Sequence, residues 1–143
     1  MSRSIRRTLF VALIALATAC SGARHGAAPT IDDVRRRAME RPHDPEAQRA
    51  RAEAELLMRG GDPSSAAEHL AHALEMEDDL GLRLLLGVER ELHGHPSEAL
   101  DAYLDVLARA ARSDDPAAPG IAEIAAAEVE ALDDAVERYP ARV

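Results

Sequence analysis

Histidine supplies the one constellation in this sequence that could do chemistry. His69 and His72 stand three residues apart in a helical pattern, so their rings share a face, with Glu68 and Glu75 within a turn. His93 and His95 flank Gly94 at the next turn. Imidazole and carboxylate groups at i, i+3 or i, i+4 converge as zinc or copper ligands do. No complete four-ligand spacing is visible, however, and exposed helix residues account for the same pattern, with His93 favoured near a helix C-terminus by the dipole. No metal and no other cofactor is therefore assigned. Other reactive arrangements are missing at the level of residue types. The chain has no lysine, hence no G-x-x-x-x-G-K phosphate loop, and no G-x-G-x-x-G, G-x-S-x-G, H-E-x-x-H or paired C-x-x-C occurs in it. No catalytic residue is assigned, and the expectation is a protein that is not an enzyme.

The elements that would position these residues follow from composition. Of 143 residues, 47% are hydrophobic, yet the aromatic residues are only Phe10, Tyr103 and Tyr139. The apolar mass is alanine and leucine, the material of helices, and the length fits one domain. Seventeen arginines stand against 26 acidic residues, a net charge of −9. Loss of residues 1–19 would remove Arg3, Arg6 and Arg7 and take that charge to −12. An acidic chain without lysine neutralises phosphates poorly, and two remaining tyrosines offer little for base stacking, so no nucleic acid is expected as a partner.

Residues 1–19 read as a secretory signal: a basic start, then an uncharged apolar run from Thr8 to Ala19, then small residues. That run is shorter than the roughly 20 apolar residues a membrane-spanning helix needs. The segment Leu16-Ala17-Thr18-Ala19-Cys20 resembles a bacterial lipobox, whose invariant cysteine receives a lipid and becomes the new N-terminus. It departs from the common pattern in having Ala17 where leucine is usual. The same Ala17-Thr18-Ala19 fits an A-x-A site, which would release a soluble periplasmic or secreted chain with Cys20 free. Cys20 is the sole cysteine and has no internal disulfide partner, which favours lipidation as its role. Ser21 in place of an aspartate favours the outer membrane. Arg6-Arg7-Thr8-Leu9-Phe10 resembles a twin-arginine export motif, and arginines are also what an ordinary signal start contains.

Residues 20–29 are small and polar and read as a flexible tether, and residues 30–143 as one helical domain. Thr30 offers a cap to a short helix from about Ile31 to Glu40, closed by Pro42. Four further helix starts share one device, proline just after a capping residue: Asp44-Pro45, Asp62-Pro63, His95-Pro96 and Asp115-Pro116. Apolar residues fall on one face in Ala66, Ala67, Leu70, Ala73, Leu74 and again in Ala99, Leu100, Tyr103, Leu104, Leu107. The segment Leu80 to Leu92 has too many leucines for one stripe and is expected to be the most buried helix. Ile121, Ile124, Ala125, Leu132 and Val136 give a last helix, about Gly120 to Arg138, a face to lay on the others.

These pairs repeat. Residues 61–74 set over 94–107 match at Gly, Pro, Ser, Ala and Leu, five of 14 positions at an offset of 33. Two helices in a period of about 34 residues resemble a tetratricopeptide (TPR) array, over repeats of about 44–77 and 78–112. Leu86-Gly87 is similar to that family's Leu-Gly pair, Ala99 with Tyr103 to its A-x3-aromatic, and Ala66 with Leu70 to the same places one repeat earlier. Arg83 and Arg90 depart from it, standing where the family favours tryptophan and tyrosine. So do Glu53-Ala54 in place of Leu-Gly, and Asp78 and Ala111 in place of a closing proline. Small residues at Ala66 and Ala99 let helix backbones approach while Leu70 and Tyr103 fill the wedge between repeats.

The expected fold is thus all-α, with antiparallel helix pairs stacked as a short TPR-like solenoid and a C-terminal capping helix. The resemblance implies that the first helix of each pair lines a partner-binding groove, which would present Gln48, Arg51, Glu55, Arg59, Leu84, Val88 and Glu91. The expected function is a lipid-anchored adaptor facing the periplasm, held in the membrane by the lipid and binding a protein or peptide at the bacterial envelope. A structural envelope lipoprotein without a discrete groove and a metal-binding helical protein stay open as alternatives, and the sequence leaves the oligomeric state open.

Overall fold

The computed structural model describes residues 29–40 and 44–138, with side chains described as far as Asp134. Residues 1–19, Cys20, the tether up to residue 28, Pro42 and the Val136 side chain lie outside the described set. The described residues form helices and no strand: α1 (Ile31–Glu40), α2 (Pro45–Gly60), α3 (Pro63–Met76), α4 (Leu80–Leu92), α5 (Pro96–Ala110) and α6 (Ala118–Arg138).

Local chemistry sets most of these boundaries. At the start of α1 the Thr30 hydroxyl accepts the Asp33 amide at 3.2 Å, while the Asp33 carboxylate accepts the Thr30 amide and hydroxyl at 3.1 and 2.9 Å. This reciprocal cap satisfies amides that have no partner within the helix. The bond from the Thr30 amide, then that from its hydroxyl, holds the Asp33 carboxyl below the usual range. Asp44 caps α2 through the Glu46 and Ala47 amides, Asp62 caps α3 through the Ser65 amide, and Pro45 and Pro63 follow them. Helix α4, without a proline, is capped by Asp79, which accepts the Leu82 amide at 3.0 Å. His95 makes no side-chain cap, leaving Pro96 to open α5. Asp115 instead accepts the Ala117 amide at 2.9 Å and shapes a turn through Pro116, so that α6 begins at Ala118, two residues before the expected Gly120.

Short connections then fix neighbours. Gly61, at φ 74°, ends α2, and a two-residue turn folds α3 back along it. Gly94, at φ 86°, does the same between α4 and α5. Helix α3 also packs on α4, and α5 on α6.

Two apolar clusters share α4. One joins Leu84 to Tyr103, Val106, Ile121, Ala125 and Val129 from α5 and α6. The other joins Leu82, Leu85 and Leu86 to Ala50, Ala54, Leu70 and Ala73 from α2 and α3. Helix α1 gives Val34 to the first and Ala38 to the second.

Ala66, Leu70, Leu86, Gly87, Ala99 and Tyr103 are all interior. The tightest fit is at Gly87, where a Cβ would lie 2.5 Å from the Tyr103 ring. Gly87→Ala should therefore cost about 1–3 kcal/mol by overpacking, read by urea unfolding, and adding Tyr103→Leu should recover part of that loss.

Candidate functional site

A partner groove was expected along α2 and α4, and α1 packs on both, on a side that α6 borders through Gly120. The N-terminal approach to α1 rests on α6: a Cβ on Gly120 would run into the Pro29 ring. Its middle rests on α4, where a Cβ on Gly81 would meet Ala38 Cβ at 3.2 Å and Val34 Cγ1 at 3.3 Å. Its C-terminal end reaches α2, where Arg51 donates through Nη1 to the Ala38 carbonyl. Gly81 stands in the first turn of α4, where a Cβ would also meet the capping Asp79 Oδ1 at 3.1 Å, and it is where α1 makes its close approach.

The anticipated groove residues take unequal positions on this face. Gln48 and Arg59 are exposed, and Arg59 pairs with half-buried Glu55 one turn back. Arg51 is not a surface group but is 1% exposed, its Nη2 bonded to Glu77 and its Nη1 to Ala38. Burying a guanidinium is tolerated there because it meets both a carboxylate and a helix-end carbonyl. Leu84 is fully buried in the cluster that contains Val34, and Val88 is half-buried against the same cluster. Half-buried Glu91 accepts the Tyr103 hydroxyl at 2.9 Å. Residues 48, 55 and 59 are thus brought to the α2 surface, while 51 and 84 belong to the interior.

Electrostatics at the α4 end of the face is one-sided. Glu89 is only 3% exposed, and burial pushes its carboxyl above the usual glutamate range, with the opposite charge of Arg35 on α1 pulling the other way. Glu128 of α6 is raised too, by burial and then by Glu91. Burial and then these glutamates push the Tyr103 hydroxyl far up, so it stays a donor.

On the other side of α4, a shallow groove between α3 and α5 has Ala71, Leu74, Leu86 and Ala102 on its floor. Its rim is spent on internal pairs. Arg83 bonds Asp78 at 2.8 Å and Asp105 at 2.7 Å, and Arg109 bonds the same two aspartates. The bond from Arg83 comes first in holding the Asp78 carboxyl below its usual range. Arg90 lies 3.6 Å from Glu98. Leu56, Leu92 and Leu104 are the large apolar side chains left exposed among the described residues, scattered singly.

The histidines do not converge. His69 contacts Glu53 of α2 at 3.0 Å, His72 lies 3.3 Å from Glu75, and the rings of His93 and His95 meet at a 45° tilt with centres 4.8 Å apart. Among the described residues no three His, Cys, Asp or Glu gather as metal ligands would. No described helix is long and apolar enough to cross a membrane. No protein-family model, curated protein or solved structure matches this chain.

Arg51 and Glu89 generate two expectations. Arg51→Ala should cost about 2–4 kcal/mol in urea unfolding, since it breaks an inward ion pair and strips the Ala38 carbonyl. For Glu89, a folded-state pKa above the unfolded one makes its stabilisation complete below the ordinary glutamate range and lost as pH rises through the raised value. Glu89→Gln should then raise the melting temperature by about 2–5 °C at pH 8 and bring no gain at pH 3.5, in thermal melts followed by circular dichroism.

Proposed function

We propose that this protein is a lipid-anchored adaptor of the TPR-like kind, facing the periplasm and holding a protein partner at the bacterial envelope, probed through the α2–α4–α6 face. The observation that carries the reading is α1 itself. It packs on α4 through a glycine-floored contact and on α2 beside it, with Pro29 ahead of it on Gly120 of α6, so that face has the relief to take a helical segment. Further support comes from the hairpins α2–α3 and α4–α5, which repeat a positive-φ glycine, a proline start and a buried alanine at the same offset. The anchor rests on Cys20 and the lipobox-like residues before it.

A structural envelope lipoprotein is the second reading. It is favoured by the same helix, because α1 seated for good would leave no groove open.

Two measurements test these readings. Cys20→Ser should abolish incorporation of labelled palmitate and move the protein from the membrane to the soluble envelope fraction; unchanged labelling would remove the anchor. Crosslinked affinity capture from native envelope should enrich a protein with the wild type and lose it at least tenfold with Gly81→Leu, whose added side chain fills the seat, helicity being checked. Equal capture by both chains would put the structural lipoprotein first.

A further inference from the structure

Two features of the α1 contact define what else would fit there. The first is shape. Of the ten residues of α1, Val34 and Ala38 are the buried ones, one turn apart, and both meet the flat spot at Gly81. A helix with an aliphatic residue and an alanine four positions later reproduces that contact whatever its other faces carry. The Ala38 position also supplies the carbonyl that accepts from Arg51 Nη1, a backbone group any helix ending there would present.

The second feature is charge. Arg35 directly follows Val34 and is the α1 cation that acts on buried Glu89, with Glu91 and Glu128 close to the same end of α4. Yet Arg35 spends Nη1 on exposed Asp32 at 2.9 Å, and its Nε is buried with no hydrogen-bond partner among the described residues. Helix α1 therefore matches the seat in shape and only partly in polar contacts. An arginine free of a neighbouring aspartate would meet the acidic end of the seat better.

We infer that the α2–α4–α6 face is a seat for a helix of another protein bearing an aliphatic residue, an arginine directly after it and an alanine four positions on. Helix α1 occupies that seat in cis until such a helix displaces it. The inference rests on the adaptor reading and adds to it the class of partner and the reason the seat is filled at rest.

The test uses the whole chain carrying Cys20→Ser and a fluorescent peptide of residues 29–41, with binding read by anisotropy. Val34→Asp weakens α1 in cis and leaves the seat whole; Gly81→Leu also displaces α1 but fills the seat. The peptide should bind Val34→Asp at least tenfold more tightly than the wild type and should not bind Gly81→Leu. An Arg35→Ala peptide should lose about tenfold in affinity. If Val34→Asp loses helicity, Ala38→Cys with Gly81→Cys takes its place. Their Cβ atoms would lie 3.2 Å apart, a few tenths of an ångström inside disulfide spacing. Closed, that pair should abolish peptide binding, and reduction should return it to no more than the weak level of the wild type.

Equal binding by the wild type and Val34→Asp, or binding by Gly81→Leu or by the closed disulfide, would overturn the seat. A wild type that is dimeric in light scattering and becomes monomeric with Gly81→Leu would overturn the foreign helix in favour of a second copy's α1. Envelope capture that depends on Gly81 while no peptide binds would sink this inference and spare the adaptor. Peptide binding without any captured partner would leave α1's own contact standing and overturn the adaptor and, with it, the foreign helix.

Discussion

Helix α4 buries Leu82, Leu84, Leu85 and Leu86 around more than one side, so no single neighbour can cover it. Apolar surface left in water costs about 25 cal/mol per Å², and an all-round apolar helix is stable only when enclosed. Helices α3 and α5 take two of its sides as the second members of adjoining hairpins, and α6 takes part of a third. What remains is the strip at Gly81, and α1 closes it. The placing of α1 is therefore a consequence of the leucine content of α4.

Covering α4 in this way brings charged groups inside, and the fold treats them differently. Asp79 is spent on a helix cap and Arg51 on a carboxylate and a carbonyl, so each meets strong partners. Glu89 has an opposite charge on α1 and a carboxyl pushed toward its neutral form. The interior side of α1 is thus apolar at two points and electrostatically incomplete around them. The Arg83, Asp78, Asp105 and Arg109 network lies on the opposite flank and ties the connection before α4 to α5.

Much of the helical order is legible in the sequence, for local reasons. Aspartate-proline pairs at 44–45 and 62–63, glycines at 61 and 94, and apolar stripes at helical spacing act within a few residues, where spacing is read directly. Asp115-Pro116 shows the limit, since the same pair makes a turn ahead of α6 when the next helix starts at Ala118. The site was less legible. Arg51 looks like a surface residue in any helical pattern, and only the arrival of α1 and Glu77 makes it interior. Leu84 fits a groove or a core equally well until Val34 is placed beside it. The one local sign of this long-range contact was Gly81, a glycine in a leucine-rich helix that no turn requires.

Along the chain, residues 1–28 precede α1, and α1 precedes the hairpins. Any mechanical load on the N-terminus is therefore borne in series by Pro29 on Gly120, Val34 on Gly81 and Ala38 under Arg51 before α2 feels it. Such contacts, met one after another, would give way ahead of the hairpins behind them, whose helices share the two apolar clusters. Pulling on this end would uncover the α4 strip long before it unravelled the domain, which makes α1 a mechanical fuse.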